Sequence, residues 1–293
     1  SLESPMANVR DIRRRIRSAR SIQQITRAMK FVSTVRLRTA QDRVVAARPY
    51  AHQMLSVLTS VAMRVPERSH PLLAQREARN IELVVITSDK GLCGAYNSNI
   101  LKEAVDFLEQ QADNRVELNI IGKRGRDFFR RRSYHVRHEA INVLHRPSFA
   151  DAAAIARDLI EEFERAEQDK VCLVYNEFKS AVHQRVVVEP LLPIQRPERE
   201  HVDDLSRLEY LYDEPPGKIL DSLLPKHVEA QVFRALLEAS ASEHGARMTA
   251  MDAATKNASE MIDNLTLYAN KVRQAGITKE LIEVVSGAAS SAS

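Results

Sequence analysis

The chain has 293 residues, of which 44% are apolar and 28% charged, a balance that excludes a disordered tail and fits a globular or helical protein. Aromatic residues amount to 5% with no tryptophan, and there are only 8 glycines and 11 prolines. So few bulky side chains and turn formers argue against a compact enzyme core and for long helices packed along narrow seams. The net charge of +4 is unevenly placed: between Asn8 and Arg48 eleven arginines and one lysine face only Asp11 and Asp42. Such a face suits an acidic protein surface, a nucleic acid, or simply solvent.

Cys93 and Cys172 are the only cysteines, too few for a disulfide framework and without metal-ligand spacing. No apolar run approaches the roughly 20 residues that a membrane span needs. The first residues, SLESPMAN, carry no apolar signal core, so membrane association is expected only through partners.

In chain order, the first segment reads as a helix from about Asn8 to Val65, with Asn8 and Asp11 placed to cap it. Ile12, Ile16 and Ala19, then Ile22, Ile25, Met29 and Val32, recur in steps of three and four and predict one buried stripe. Pro49 is expected to interrupt or kink this helix, Tyr50 to Met63 to resume it, and Pro66 to end it.

The middle changes period. Ile81 to Ser88 is a short β-branched run suited to a buried parallel strand. Further strands are expected at Val116–Gly122, Ser133–Glu139, Lys170–Phe178 and His183–Ile194, with helices at Asn99–Gln111 and Phe149–Glu164. Strand alternating with helix predicts a Rossmann-like α/β domain around a mostly parallel sheet. The Pro-rich, charged stretch 195–216 reads as a connection.

From Lys226 to Ala289 no proline occurs, and Met251, Ala254, Ala258, Met261, Leu265, Tyr268, Val272 and Ala275 form an unbroken heptad seam. As a helix this segment would be about 90 Å long. Such a rod cannot cover its stripe on a small α/β domain, so its expected partner is the N-terminal helix. The fold class is therefore α/β plus a long antiparallel coiled coil of the two terminal helices. The expected division is discontinuous: a shaft from 1–70 and 210–293, and an inserted α/β domain at 75–205.

Catalytic and cofactor signatures are missing. No phosphate-binding loop or dinucleotide fingerprint is spelled by the glycines. Gly91-Leu92-Cys93-Gly94 follows the first strand and could offer backbone N–H groups to an anion, but reads better as a sharp strand-to-helix turn. His135 and His138 have ligand-like spacing without an acidic third ligand nearby in sequence, and read as ordinary histidines. Cys93 reads as a small buried thiol. No catalytic residue, metal or cofactor is expected. Two other function classes compete with a mechanical role: a coiled-coil nucleic-acid binder with an arginine face, and an enzyme centred on the Gly91 turn. Phe31 is the only aromatic among the basic residues from Asn8 to Arg48, which disfavours the first; the absence of convergent acid–base groups disfavours the second.

Three blocks resemble the gamma subunit of F-type ATP synthases, of the bacterial type. They are Ile22-Gln23-Gln24-Ile25-Thr26-Arg27-Ala28-Met29-Lys30, then Ser88-Asp89-Lys90-Gly91-Leu92-Cys93-Gly94, and the run from Glu243 through Met251-Asp252-Ala253-Ala254-Thr255-Lys256-Asn257 to Arg273-Gln274-Ala275-Gly276-Ile277-Thr278. The resemblance implies a central-stalk rotor that couples proton flow to ATP synthesis and regulates ATPase activity and proton flow. Its coiled coil would stand inside three alpha and three beta subunits, with the epsilon subunit and the ring of c subunits at its foot. It would be noncatalytic and bind no nucleic acid. It would be peripheral at the cytoplasmic side of the cell (inner) membrane.

Carried over by position, Arg273 and Gln274 would touch a loop of the beta subunit, with Met29 and Lys30 on the facing helix at the same end of the head. Leu208, Glu209, Tyr210, Leu211 and Tyr212 would lie near the c ring and epsilon. The sequence departs from the family at Lys90, usually arginine, and at Gly245, often alanine, where glycine costs a helix about 1 kcal/mol. Its tail, Ala289 to Ser293, runs past the usual stop, and the chloroplast type's regulatory cysteine insertion is absent. Without a transit sequence, a bacterial source is expected.

Overall fold

In the computed structural model the described residues are 9–62, 70–132, 134–195 and 216–291. The chain order is α1 (Val9–Ala62), a 3-10 turn (Pro71–Leu73), β1 (Asn80–Ile86), α2 (Tyr96–Gln110), β2 (Arg115–Ile121), α3 (Lys123–Phe129), β3 (Val136–Ala140), α4 (Phe149–Glu164), β4 (Lys170–Phe178), β5 (Gln184–Leu192) and α5 (Pro216–Ser291). By contacts the chain divides into two compact units, Ser1–Val32 with Ala250–Ser293, and Ser33–Thr249.

The larger unit is built on a five-stranded sheet in the order β3-β2-β1-β4-β5. Its first four strands are mutually parallel, and β5 runs antiparallel to β4. This is the Rossmann-like arrangement expected, with strand order reversing between β1 and β4. From Leu83 to Ile86 β1 is apolar, and both its faces are covered there. Leu83 and Val85 pack with Ile100, Ala104 and Phe129 on the α2–α3 side, whereas Val84 and Ile86 pack with Ala156, Leu159 and Phe163 of α4 on the other.

The predicted strands and the two middle helices stand where expected, with α4 and β4 matching their predicted limits. Ser133, at the start of the third predicted strand, lies outside the described residues, as do Asn8 and Pro66. α3 was missed because its sequence, KRGRDFF, is short, charged and glycine-bearing. It forms against the sheet: the Gly125 N–H donates to Thr87 Oγ1 at 2.8 Å. Gly122 initiates it with φ of +98°, and a Cβ there would stand 2.0 Å from the Thr87 carbonyl oxygen.

Both prolines inside the long helices are accommodated. α1 continues through Pro49. α5 starts at Pro216, ten residues before the predicted start, and runs through Pro225. An interior proline removes a backbone hydrogen bond. In α5 the loss is offset by an apolar face in steps of four, Leu220, Leu224, Val228, Val232 and Leu236, each buried to 1% exposure or less.

In the smaller unit α1 and α5 pair antiparallel. Thr26 Oγ1 meets Thr255 Oγ1 at 2.8 Å, and Lys30 Nζ donates to Asp252 Oδ1 at 2.5 Å. The covered positions differ from the predicted stripes. On α1 they are Ile12, Ile16, Ala19, Gln23, Thr26 and Lys30, in steps of four and three. Ile22, Ile25 and Val32 are exposed by about half, at 51%, 55% and 47%. On α5 Met251, Ala258, Leu265 and Val272 lie in the seam as expected, but Met261 and Tyr268 point outward, and Ile262 and Ala269 are the more covered. The period was right, and over part of each helix the covered face is turned by one residue from the predicted one.

Two outcomes check this architecture. Gly122→Ala would lower stability by at least about 2 kcal/mol in chemical denaturation, since the positive φ and the Thr87 carbonyl both oppose a Cβ. Thr26→Cys combined with Thr255→Cys would oxidise to an intramolecular disulfide, seen as a mobility shift on non-reducing gels. Failure to cross-link would refute the register.

Candidate functional site

The Gly91 turn leaves the carboxyl end of β1 beside the point where strand order reverses, the usual place for a ligand in such a sheet. Here α5 occupies it. Arg247 lies across the turn: its Nη2 donates to the Gly91 carbonyl at 3.2 Å and to the Lys90 carbonyl at 3.4 Å. The same nitrogen donates to Glu243 Oε1 at 2.6 Å, one helical turn back. Both side chains are 8% exposed.

The turn's own geometry makes this contact possible. Leu92 and Gly94 have φ of 62° and 57°, and the Lys90 and Gly91 carbonyls face the Arg247 cation. Asn97 accepts from the Ser88 N–H at 3.0 Å and donates to Cys93 Sγ at 3.3 Å. Cys93 is 2% exposed, and burial pushes its thiol up, as befits the buried-thiol reading. Asp89 Oδ1 accepts from the N–H groups of Lys123 at 3.1 Å and Asn142 at 3.0 Å, joining three loops.

Around Arg247 the helix is stitched to the sheet through buried groups. Tyr96 Oη donates to the Ala239 carbonyl at 3.0 Å, and Ser242 Oγ to the Asn176 carbonyl at 2.9 Å. Burial pushes the Tyr96 hydroxyl well up and the Glu243 carboxyl up, the latter opposed by the Arg247 charge. Burial, and next the Arg247 charge, hold His244 down at about 4, so it is neutral at neutral pH. Gly245 explains the departure noted in the sequence: a Cβ there would stand 3.1 Å from the Ala181 carbonyl oxygen, so the small residue lets the β4–β5 turn come close.

In the smaller unit Lys30 and Lys256 both hold Asp252, at 2.5 and 3.0 Å, and these hydrogen bonds keep its carboxyl below the usual range. Met29 and Lys30 are half-buried, whereas Arg273 and Gln274 are exposed. The structure does not bring these four together. Lys30 sits opposite Asp252, and Arg273 lies 21 residues further along α5, about 31 Å at a helical rise of 1.5 Å per residue. The two pairs thus mark two levels of the helix pair, contrary to the expectation of one end. Leu208, Glu209, Tyr210, Leu211 and Tyr212 lie outside the described residues.

Among the described residues no group of His, Cys, Asp and Glu could hold a metal ion. His135 and His138 do have acidic neighbours, brought from other elements: Nε2 of His135 is 3.5 Å from Glu117 and that of His138 is 2.8 Å from Glu162. They serve two different carboxylates rather than one ligand. Sequence reasoning missed Thr26, Thr255, Asp252, Glu243 and Arg247. The spacing of four between Glu243 and Arg247 was a legible cue for that ion pair.

A sequence model of the ATP synthase family matches residues 8–290. The ATP synthase gamma chain of Solibacter usitatus is 52% identical over 288 residues, covering 97% of this chain and 99% of that one. The chain belongs to the ATP synthase gamma chain family. Its fold resembles a chain in the central stalk and c-ring structure of Tetrahymena thermophila mitochondrial ATP synthase, with TM-score 0.59 and 27% identity, covering 78% of this chain and 99% of that one. A chain of the Euglena gracilis mitochondrial ATP synthase, in a structure of OSCP, F1 and c-ring, shares the fold at TM-score 0.68 and 19% identity over 96% of this chain and 94% of its own.

The Arg247 contacts fix α5 to the turn after β1. Arg247→Ala would strand the buried Glu243 charge and two carbonyls, and would lower stability by about 3–5 kcal/mol in urea titration. Adding Glu243→Gln would recover part of that loss, because no buried carboxylate would then lack its cation.

Proposed function

We propose that this chain is the central-stalk rotor subunit of a proton-translocating F-type ATP synthase, coupling proton flow to ATP synthesis in a catalytic head formed by other chains. The observation that carries the reading is the unit made by α1 and α5. Its seam is built from small and polar pairs such as Thr26–Thr255 and Lys30–Asp252, while Ile22, Ile25, Phe31 and Val32 face outward at 47–71% exposure. A free coiled coil would bury those apolar residues; one enclosed by other subunits presents them. The full-length likeness to curated gamma chains supports the same role.

The chain itself performs no catalysis. A rotor needs none: it changes which state of each catalytic subunit has the lowest free energy, by making different contacts at each angle. In this reading three alpha and three beta subunits surround the shaft, and the epsilon subunit and c ring hold its foot near Leu208, Glu209, Tyr210, Leu211 and Tyr212. The shaft comprises 1–70 and 210–293, with 75–205 inserted. Arg273 and Gln274 contact the beta subunit at one level, Met29 and Lys30 at another. The complex is membrane-associated, with this chain peripheral on the cytoplasmic side of the cell (inner) membrane. No described helix is long and apolar enough to cross a membrane.

Co-expression with alpha and beta subunits would yield a stable complex with ATPase activity, and failure to co-purify would overturn the assignment. Within that complex Arg273→Ala would impair coupling or assembly by roughly tenfold, the effect of losing about 1.4 kcal/mol of contact. Coupling and assembly unchanged by the substitution would argue against a beta-subunit contact at Arg273.

A further inference from the structure

At the amino-terminal half of the sheet, away from the Gly91 turn, lies a buried group of carboxylates. Glu82 of β1, Glu117 of β2 and Glu162 of α4 are 0%, 4% and 7% exposed. Arg137 of β3 stands among them. Its Nη1 donates to Glu117 Oε2 at 2.7 Å, its Nε to Glu162 Oε1 at 2.9 Å, and its Nη2 to Glu167. Glu117 also receives Gln168 Nε2 and Arg115 Nη2, each at 2.8 Å, with His135 3.5 Å away. His138 Nε2 lies 2.8 Å from Glu162 Oε1. From the segment before β1, Arg76 stacks on Phe163 and donates to the Gln168 carbonyl, and from the β4 side Asp169 binds the N–H groups of Arg79 and Asn80 while Lys170 pairs in register with Ile81. On the outer side of α4, Glu161 and Arg165 pair with each other.

The cations are thus directed at Glu117, Glu162 and Glu167. Among the described residues Glu82 receives only Asn119 Nδ2, at 3.3 Å on Oε1. Oε2 of Glu82 and Oε2 of Glu162 are both buried with no donor, and the two side chains lie within hydrogen-bonding reach of each other. Two ionised carboxylates held in this way would repel without water to screen them. A single proton between them satisfies both leftover oxygens at once.

We propose that Glu82 and Glu162 share one proton in the native state and form an alkali-sensitive latch that holds α4 on the sheet. Burial, and next the charge of Glu162, push the Glu82 carboxyl up to about 8. An unfolded glutamate releases its proton near 4.5, so between these values the native chain holds a proton that the unfolded chain has lost. The latch's contribution is therefore complete below about 4.5 and is lost progressively as pH rises through about 8.

The test compares the full chain with Glu82→Gln, which keeps a donor towards Glu162 but cannot ionise. Urea titrations from about pH 5 to about pH 9 would show the wild-type folding constant falling against the variant's by up to about tenfold per pH unit, leaving the variant the more stable at alkaline pH. Hydrogen exchange would show α4 amides losing protection at alkaline pH before those of α2 in the wild type, but not in the variant. Stability curves that run parallel across this range would overturn the proposal. Should Glu82→Gln fail to fold, infrared spectra of the wild type decide. A protonated-carboxyl band at neutral pH that vanishes on alkaline titration supports the shared proton, and absence of that band at neutral pH refutes it.

Discussion

Two helices can approach closely only where the facing side chains are small, and the paired part of this chain is arranged by that constraint. Ala19 and Thr26 on α1, with Thr255, Ala258 and Ala269 on α5, supply the narrow faces. Once those faces meet, Met261, Tyr268, Ile22, Ile25 and Val32 have nowhere to go but outward. The arrangement forgoes some apolar burial, worth about 25 cal/mol per Å². In exchange it keeps the pair slender and gives its exterior the bulky apolar side chains that a surrounding protein can hold. Polar pairs then do what large residues would otherwise do in the seam. Lys30–Asp252 and Thr26–Thr255 fix the register, because sliding either helix by one turn would part both pairs.

α5 answers to a second partner in the larger unit. There its residues become apolar on two sides: Leu220 to Ala239 fill the α4 side of the sheet, and Ser240 to Arg247 reach buried polar groups at the strand ends. Arg247 fills the place where a Rossmann-like sheet would otherwise take a ligand. The helix that pairs with α1 thus also closes the crevice at the strand ends.

Much of this was legible. β1 was legible as a buried strand from its short apolar, β-branched run, and β4 and α4 were expected at the limits they have, α4 beginning in the structure at a Ser148–Asp151 capping box. The heptad period of both long helices was equally plain. What misled was the assumption that the largest apolar residues mark the seam, which holds for a helix that closes its own core and fails for one that is to be enclosed. Pro225 hid the first ten residues of α5 because local propensity says nothing of an apolar face stepping by four across it. The separation of Arg273 from Lys30 required the register, and register is carried by contacts between residues more than 200 positions apart.

The two ends of the sheet show how differently buried charge can be resolved. At the carboxyl end Glu243 and Arg247 are one to one, and the Lys90 and Gly91 carbonyls accept from the same guanidinium. At the amino end Arg137 is shared among Glu117, Glu162 and Glu167, and Glu82 comes in addition with only an amide for company. Charge cannot be balanced there by the side chains present, because the cations are already engaged and Glu82 is sealed from water. Electroneutrality then has to come from a proton, the one cation small enough to lie between two carboxyl oxygens without a cavity to hold it. The amino end therefore carries a dependence on pH as a consequence of its packing.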